Sequence, residues 1–402
     1  MNIKDNIELN FRRLNEKEYK KESVFQDGAY GWPGDWEGRA LLAFCCHYEM
    51  SGRKTECLEN FMSELKPRLN GKSYLGKEFD GITADEQQLS GHSWLLRGMM
   101  KYYELFGDIF ALSVAESTVW NLFLCTAQNF REYPFTRQES QGGVSGNISE
   151  QTRGWKLSSD IGCGFIGVDG LSHYYSVTGD EKTKEFIDFL IRLFMGADVY
   201  GYRFQTHATL SCLRGILRMY ESTGHKYYLD CVRKVFDIYT EHGMTLTYAN
   251  FNWFGRQDSW TEPCAVVDSF ILALGLYSAT GEMKYKTLAR RIWFNGLQFC
   301  LRNNGGTGPD TCVTTKSNVL QVSMFEAPFC CTMRYAEGLL YALKNEVLLG
   351  WDENAEQITD EYGRRLVDDR LIVEYEGKSL PIFTAAELGD CDSIMRAKLK
   401  IF

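Results

Sequence analysis

Four residues on two short segments of the chain have side chains that could bind a metal ion. Glu262 and Cys264 flank a proline, and the pair Cys330 and Cys331 follows another proline after one intervening residue. Proline is common where a helix begins, and a thiol at a helix N-terminus ionises more easily because the helix dipole is positive there. One carboxylate and three thiolates form a tetrahedral donor set suited to Zn²⁺. The sequence has no Cys-x-x-Cys pair, so core packing stays open as the alternative to a zinc site.

Two histidines and one aromatic loop predict a surface for binding sugars. His92 and His207 follow polar residues, and we place both where helices begin at the rim of the fold. Tyr248, Trp253 and Arg256 belong to a loop in which aromatic rings alternate with amides and charges. Such a surface suits carbohydrate, because sugar CH faces stack on rings while sugar hydroxyls need polar partners. The alternative is that the histidines and the loop are buried and brace the fold.

A repeated pair of residues indicates how the chain is organised. A glycine follows four positions after each of Tyr48, Tyr103, Tyr175, Tyr220 and Tyr277, and Asn345 follows Tyr341 in the same way. Glycine and asparagine close helices in the left-handed conformation, so each copy predicts a helix C-terminus. Apolar residues at helical spacing precede the copies, for example Leu210, Leu213 and Leu217. Six helix pairs of this kind predict an all-α fold, an (α/α)6 toroid, with an open helical array as the alternative.

The sequence pattern of residues 349–402 predicts strands, whereas that of the preceding residues predicts helices. Residues 370–375 are rich in strand-forming residues, and a glycine and a proline follow them. We therefore predict one (α/α)6 domain over residues 1–348 and a small β-rich appendage over residues 349–402.

The composition is typical of a globular chain and excludes several classes of protein. Of 402 residues, 44% are hydrophobic and only 7 are proline, which excludes disorder and a small disulfide scaffold. The net charge of −9 argues against nucleic acid or an anionic membrane as the partner. No uninterrupted apolar run approaches the ~20 residues that cross a bilayer. Thirteen cysteines and an N-terminus without an apolar region predict free thiols and a cytoplasmic location.

Five of these cysteines lie within apolar helical patterns, where a thiol behaves as a small hydrophobic side chain. We expect the five to pack in the core: Cys57, Cys125, Cys212, Cys231 and Cys300.

The order of the motifs also carries a resemblance to a known family. Four motifs follow one another along the chain: Gly91-His92, Thr206-His207-Ala208, Thr261-Glu262-x-Cys264 and Cys330-Cys331. In this order they resemble the β-L-arabinofuranosidases of glycoside hydrolase family 127, and the resemblance spans residues 30–345. It implies a retaining glycosidase in which Glu262, Cys264, Cys330 and Cys331 bind Zn²⁺ and Cys330 attacks the anomeric carbon. Zinc and the neighbouring thiolates would keep the Cys330 thiol deprotonated at neutral pH.

The resemblance further implies that the partner is a carbohydrate, and the sequence leaves a homo-oligomer open. Cys330 and Glu262 are the expected catalytic residues. The residues expected to contact the substrate are His92, His207, Tyr248, Trp253, Arg256 and Asp160.

One residue of the family pattern is missing from this chain. In the family, a glutamate after a glycine upstream of the Glu-x-Cys motif acts as general acid and base. Here residues 243–250 contain no carboxylate, and Ala249 stands near the expected position. Four carboxylates elsewhere are candidates for this role: Asp160, Glu241, Asp258 and Glu326.

Two other functions stay open at this stage. A sugar epimerase, a polysaccharide lyase or an unsaturated-uronide hydrolase on the same fold would use residues such as His92, Tyr248, Arg256 and Asp160 without a metal. A carbohydrate-binding relative without catalysis would account for the missing acid near Ala249. Zinc content separates the first alternative from a thiolate glycosidase, and activity gained by Ala249→Glu would exclude the second.

Overall fold

The computed structural model describes residues 2–26, 31–136, 145–352 and 354–402. Helices follow one another along most of these residues. Their bounds are α1 Ile3–Arg13, α2 Lys21–Val24, α3 Asp35–Ser51, α4 Glu56–Leu65, α5 Glu86–Phe106, α6 Ile109–Thr118, α7 Ala127–Arg131, α8 Gly167–Thr178, α9 Glu181–Met195, α10 Thr206–Thr223, α11 Lys226–His242, α12 Pro263–Thr280, α13 Met283–Arg291, α14 Cys331–Lys344 and α15 Cys391–Arg396. The strands are β1 Ala84–Asp85, β2 Ile148–Thr152, β3 Trp155–Ser158, β4 Val319–Leu320, β5 Gln357–Thr359, β6 Arg365–Val367, β7 Arg370–Tyr375, β8 Lys378–Pro381 and β9 Leu399–Lys400.

The five tyrosine–glycine pairs end the helices α3, α5, α8, α10 and α12, as predicted. In each pair the glycine has φ between 64° and 69°, and its N–H donates to the tyrosine carbonyl at 2.7–2.8 Å. A second helix begins within five residues of each cap, which makes five helical hairpins: α3–α4, α5–α6, α8–α9, α10–α11 and α12–α13. The glycines are Gly52, Gly107, Gly179, Gly224 and Gly281.

The sixth copy of the repeat differs from the prediction. Asn345 does follow the end of α14, but its φ of −118° is not left-handed. Its side-chain Nδ2 instead donates to the Tyr341 carbonyl at 2.9 Å. An asparagine side chain can satisfy a terminal helix carbonyl itself, so the backbone does not need the left-handed turn.

One predicted helix start is corrected by the structure. Helix α12 begins at Pro263, in agreement with the preference for proline at the first helical position. His92 was expected to open a helix, but α5 begins at Glu86 and is capped by Asp85, whose side chain accepts from two backbone N–H groups. His92 therefore lies within α5 and not at its start.

The chain divides into two compact units. The first unit is Asn15–Asp237, and the second unit is Met1–Leu14 together with Ile238–Phe402. The β-rich tail belongs to the second unit, and the predicted domain boundary at residue 348 stays a prediction.

Close contacts at glycines bring together the helices α3, α5, α8 and α10 of the first unit. A Cβ on Gly38 of α3 would lie 2.1 Å from the backbone of α5, and one on Gly170 of α8 would lie 2.6 Å from Ser93 of α5. A Cβ on Gly215 of α10 would lie 2.5 Å from the backbone of α8. Only glycine permits backbones to approach this closely, so these residues determine the spacing of the helices.

The second unit joins α12, α13 and α14 to the β-rich tail. In the tail, β4, β9, β7, β6 and β5 lie in this order in one sheet, with β8 also paired to β7. The predicted strand at 370–375 is β7, so the expected β-rich tail is confirmed. Asn295 holds the tail, because its Nδ2 donates to the Asp369 carbonyl at 2.8 Å and its Oδ1 accepts from Leu371 N at 2.7 Å.

Two expectations from the composition need correction. Ile109–Arg131 and Pro263–Thr280 are long and apolar enough to cross a membrane by length and composition. Neither stretch is an uninterrupted apolar run, because scattered polar residues interrupt both. The core helices of globular proteins meet the same criterion, and 72% of the second stretch is buried. Among the thirteen free cysteines, Cys125 is exposed rather than packed in the core.

A pair of glycine substitutions tests the cap pattern. Gly224→Ala should lower the free energy of unfolding by about 1 kcal/mol, because an L-residue is strained at a φ of 69°. Gly196→Ala is the matched control, since Gly196 ends α9 with a right-handed φ of −81°. It should be neutral or slightly stabilising. Urea denaturation measures both, and equal effects of the two substitutions would contradict a left-handed cap at Gly224.

Candidate metal centre

The N-termini of α12 and α14 carry the four predicted metal ligands. Glu262 is the N-cap residue of α12, and Cys264 lies in its first turn. Cys330 is the N-cap residue of α14, and Cys331 is its first residue. Two helices therefore present a carboxylate and three thiols at their positive ends, where negative charge is stabilised.

The four side chains converge on one point. One donor atom from each of Glu262, Cys264, Cys330 and Cys331 lies within 4.8 Å of all the others. Cys264 Sγ is 3.6 Å from Cys331 Sγ, and Cys331 Sγ is 3.3 Å from Cys330 Sγ. Two sulfurs bound at about 2.3 Å to one tetrahedral zinc lie about 3.8 Å apart, so the observed separations are close to those of a zinc site.

Burial divides the four ligands into two pairs. Cys264 and Cys331 are fully buried, whereas Glu262 and Cys330 are partly exposed. Burial and the two neighbouring thiols raise the pKa of Cys331 well above that of a free thiol. A buried thiol with two thiols beside it ionises only near a strong positive charge, and a soft cation such as Zn²⁺ matches this donor set. The residues present therefore fit a zinc ion.

The loop before α12 holds Glu262 through its backbone. Glu262 N donates to Asn250 Oδ1 at 3.0 Å. The preceding residue, Thr261, pairs with Asp310 through two hydrogen bonds, Thr261 N to the Asp310 carbonyl at 3.0 Å and Asp310 N to Thr261 Oγ1 at 2.8 Å. These bonds hold the backbone at Glu262 in place, and the carboxylate extends from that backbone.

A fully buried arginine organises the loop that contains Asp310. Arg302 donates to the Asp310 carboxylate at 3.0 Å and to the backbone carbonyls of Cys300, Pro309 and Phe325 at 2.8–3.0 Å. Burial raises the pKa of Asp310 to about 6, although the arginine beside it opposes that shift. A guanidinium that satisfies this many carbonyls keeps an irregular buried loop in one conformation.

The segment before α14 is held by the N-terminal helix α1. Arg13 Nε contacts both carboxylate oxygens of Glu326, at 3.0 and 3.1 Å. Glu326 also accepts from Thr332 Oγ1 at 2.8 Å, and Asn10 Nδ2 donates to the Thr332 carbonyl at 3.2 Å. Thr332 directly follows Cys331, so these contacts position the two adjacent thiols.

A buried ion pair joins α12 and α14 one turn below the thiols. Arg334 Nη2 donates to Asp268 Oδ1 at 2.5 Å, and Arg334 also pairs with Glu337. Asp268 follows Cys264 by four residues, and Arg334 follows Cys330 by four residues, so each partner lies on the same helix face as a ligand. The ion pair therefore sets the register in which the two helix ends meet.

Sequence reasoning missed the residues that hold the ligands. Arg334 and Asp268 each interrupt an apolar helix, and such an isolated charge is the usual signal of a buried pair. The sequence does not say which of several such charges are partners. Asn250 carried no signal beyond its place in the aromatic loop.

Three of the predicted sugar-binding residues belong to the second unit, and each has side-chain neighbours there. Trp253 is buried, and its ring meets Trp260 edge-on with centroids 5.2 Å apart. Arg256 pairs with Asp258 at 2.8 Å and lies 5.7 Å from the Trp253 ring. The Tyr248 hydroxyl accepts from Arg291 at 3.1 Å. Burial raises the pKa of Tyr248, which stays a phenol at neutral pH.

The predicted residues of the first unit have partners within that unit. His92 Nδ1 lies 2.8 Å from the Gln88 carbonyl, and His92 Nε2 accepts from Leu75 N at 3.1 Å. Burial lowers the pKa of His92 to about 4, so the ring is neutral at pH 7. Both ring nitrogens of His92 therefore have a backbone group within hydrogen-bonding distance.

The other two predicted residues of the first unit are also buried. His207 stacks on Trp94, with ring centroids 5.6 Å apart. Asp160 accepts from Ser145 Oγ at 2.6 Å and from Gly146 N at 2.7 Å. Sugar binding by His92, His207 and Asp160 stays a prediction.

The candidates for the missing acid have other partners. Glu326 pairs with Arg13, and Asp258 pairs with Arg256 while 72% of its side chain is exposed. Glu241 is exposed beside His242, 3.5 Å away. Ala249 lies in a tight turn in which its N–H donates to Thr245 Oγ1 at 3.2 Å.

Comparison by sequence finds no relative: no protein-family model and no curated protein matches this chain. Solved structures do match. A β-arabinofuranosidase of glycoside hydrolase family 127 has a TM-score of 0.59 at 14% identity, covering 92% of this chain and 63% of its own. This chain thus spans less than two thirds of that enzyme's length.

Two other solved structures match nearly along their whole length. A sugar epimerase from a ruminal bacterium has a TM-score of 0.56 at 12% identity, covering 87% of this chain and 98% of its own. An unsaturated glucuronyl hydrolase specific for heparin has a TM-score of 0.55 at 14% identity, covering 87% and 99%. Identities this low establish the fold alone. The (α/α)6 fold is confirmed, and the resemblance to family 127 is borne out at that level.

Metal analysis of two cysteine variants tests the centre. The purified wild-type chain should contain about one zinc per chain, measured by inductively coupled plasma mass spectrometry. Cys264→Ala should lose most of this zinc, because a tetrahedral site loses one of four donors. Cys300→Ala is the matched control, since Cys300 is equally buried and donates to the Leu297 carbonyl at 2.9 Å. Equal zinc in the two variants, or none in the wild type, would contradict the predicted site.

Proposed function

We propose that this protein is a glycoside hydrolase that cleaves a furanoside, such as a β-L-arabinofuranoside, with a cysteine nucleophile. One observation carries the proposal: the donor atoms of Glu262, Cys264, Cys330 and Cys331 lie within 4.8 Å of one another at two helix N-termini. The (α/α)6 fold, which a β-arabinofuranosidase of family 127 shares, supports the same reaction class.

Cys330 is the thiol best placed to react. It is partly exposed, whereas Cys264 and Cys331 are buried and can serve only as ligands. It also caps α14, where the helix dipole favours a thiolate. Glu262, Cys264, Cys330 and Cys331 would hold a zinc ion. When bound, zinc supplies the positive charge that keeps these thiols deprotonated at neutral pH.

The reaction follows from a thiolate beside a sugar. Cys330 Sγ attacks the anomeric carbon, a carbon–sulfur bond forms, and the bond to the leaving oxygen breaks with its electron pair remaining on that oxygen. A water molecule then attacks the same carbon, the carbon–sulfur bond breaks with its electron pair remaining on Cys330 Sγ, and the proton lost by the water passes to solvent, which restores the thiolate. Two inversions give a product that retains the configuration of the substrate.

The leaving group determines which substrates test the proposal best. An alkoxide must be protonated as it departs, whereas a nitrophenolate leaves without help from an acid. We assign no carboxylate to that protonation, since Ala249 stands near the place where the family has its acid. Aryl glycosides therefore separate the attack by Cys330 from the unassigned proton transfer. A carbohydrate partner and a cytoplasmic location remain part of the proposal.

A second candidate is supported by the extent of the structural matches. The sugar epimerase and the glucuronyl hydrolase match over 98% and 99% of their own chains, against 63% for the arabinofuranosidase. An enzyme of this second kind would work on a sugar without a metal. Catalysis that survives complete removal of zinc would favour it over a cysteine glycosidase.

Turnover of aryl furanosides tests the nucleophile. Cys330→Ser should lower kcat for 4-nitrophenyl β-L-arabinofuranoside by roughly 10³-fold or more, because a serine hydroxyl is not ionised at neutral pH. Its circular dichroism and melting temperature should stay close to those of the wild type.

The matched control is Cys125→Ser, which removes an exposed thiol outside the centre and should keep full activity. A panel of aryl pyranosides shows whether the furanoside is preferred. Full activity of Cys330→Ser would contradict the assigned nucleophile, and cleavage of pyranosides alone would contradict the proposed substrate class.

A further inference from the structure

A cavity of the second unit lies beside the C-terminal end of α14. Its volume is about 360 Å³, at the lower end of the range for pockets that bind small molecules. Trp293 and Phe294, which are buried, form part of its wall, whereas Glu346 and Trp351 are exposed. The cavity therefore combines a buried wall with a mouth at the protein surface, through which a ligand can enter.

The cavity is separate from the metal centre. Its lining, in the part of the chain that the structure describes, includes none of the four predicted metal ligands. Helix α14 begins at the metal centre with Cys331 and is 14 residues long, about 20 Å at 1.5 Å per residue, and Glu346 follows its far end. Helix α1 runs in the opposite direction, because Arg13 contacts Glu326 near the thiols whereas Ile3 lines the cavity. A ligand here would leave the metal centre unoccupied.

Trp351 offers part of an aromatic ring at the mouth of the cavity. The guanidinium carbon of Arg370 lies 4.6 Å from the centroid of this indole, and the Phe294 ring meets it edge-on with centroids 6.3 Å apart. Trp351 nevertheless stays 36% exposed. An indole that is held by its neighbours and still partly open is suited to stacking against the CH face of a sugar ring.

Polar groups with unused hydrogen-bonding capacity line the same cavity. The Gln298 side chain has no hydrogen-bond partner among the described residues, and its amide atoms are not withdrawn from solvent. Arg370 makes one hydrogen bond within the described ranges, from Nη2 to the Ile382 carbonyl, so its Nη1 remains available. Glu346 adds an exposed carboxylate. The cavity thus presents both donors and acceptors that a ligand can reach.

The charges of the lining limit the kind of ligand. Arg370 is positive, whereas Glu346 and Glu387 are negative. The two carboxylates disfavour an anion and the guanidinium disfavours a cation, because like charges repel across an interface. A wholly apolar ligand would remove water from Gln298 and Arg370 without replacing it. A neutral ligand with several hydroxyls and one apolar ring face satisfies all of these groups.

We propose that this cavity is a second saccharide-binding site, distinct from the metal centre. Trp351 stacks on the CH face of one sugar unit of a neutral saccharide. Gln298 and Arg370 donate to hydroxyl oxygens of that unit, and Glu346 accepts from a neighbouring hydroxyl. The cavity binds the saccharide without cleaving it. Because the site needs neither zinc nor Cys330, it stands or falls independently of the proposed cysteine chemistry.

Calorimetric titration of a matched pair of tryptophan variants tests the site. The ligands are L-arabinose, methyl β-L-arabinofuranoside, D-glucose and cellobiose, and each protein also carries Cys330→Ser so that no saccharide is cleaved. Trp351→Ala should raise the dissociation constant of the saccharide that binds the parent protein by about tenfold, since the stacking surface is lost. A saccharide held only at the metal centre would bind Trp351→Ala and the parent protein alike, which would overturn the proposal.

Trp120→Ala is the matched control. Trp120 is 37% exposed, and Lys182 Nζ lies 4.8 Å from its ring centroid, so its surroundings resemble those of Trp351. It belongs to the first unit and does not line the cavity. Trp120→Ala should therefore bind every saccharide as the parent protein does.

A second variant tests the polar side of the cavity without touching the indole. Gln298→Leu removes an amide that has no partner in the described parts of the chain, so the melting temperature should stay close to that of the parent protein. Its dissociation constant for the saccharide should rise severalfold, because a hydrogen bond to the sugar is lost. An unchanged dissociation constant, or a clear loss of stability, would refute the role of Gln298 and with it the proposed site.

The outcomes distinguish this site from the proposed function. If aryl furanosides are cleaved but Trp351→Ala and the parent protein bind saccharides alike, the cavity site is refuted while the glycosidase stands. If no glycoside is cleaved but a saccharide binds the parent protein and Trp120→Ala more tightly than Trp351→Ala, the cavity site stands while the glycosidase fails. Binding of none of the four saccharides refutes the site, and binding of benzoate alone would show an anion site at Arg370 instead.

Discussion

The candidate site depends on the meeting of two helix N-termini in one register. Asp268 and Arg334 provide this register, because each lies one turn along its helix from a cysteine and their ion pair is completely buried. A buried pair of charges is costly to break, so α12 and α14 cannot slide past each other without leaving a charge unpaired. A Cβ on Gly338 of α14 would lie 3.2 Å from the side chain of Val267 in α12, so glycine allows the two helices to approach closely at this point. The convergence of three thiols and a carboxylate follows from this constraint.

Around the two helix ends, loops are held by side chains that satisfy backbone groups. Arg302 binds the carbonyls of one loop, Glu326 fastens the segment before α14 to α1, and Asn250 holds the backbone of Glu262. Irregular buried backbone needs such partners, because water cannot reach its polar groups. The ligands are therefore placed by a network of polar residues that are not ligands themselves.

The arrangement explains how thiols in a protein interior could be reactive. Burial raises the pKa of Cys331, and closely spaced thiols oppose each other's ionisation. In the proposed function, a bound cation would offset this opposition, and the partly exposed Cys330 would be the accessible nucleophile. The same cluster would then supply both the metal ligands and the nucleophile, and exposure would distinguish the two roles.

The sequence by itself determined the helical hairpins, because a tyrosine four residues before a glycine is a local signal that ends a helix through one backbone hydrogen bond. It also determined β7 and the four donor residues, since their types and motif order are local properties. Only the tertiary structure decided that Arg334 pairs with Asp268, that both ring nitrogens of His92 lie beside backbone groups, and that Asn250 holds the backbone of Glu262. These outcomes depend on contacts between residues far apart in the chain, and residue type alone does not say which polar groups will meet. Asn345 is a local example of the same limit. Its position in the repeat predicted a left-handed backbone, but its side chain donates to the Tyr341 carbonyl and the backbone is not left-handed.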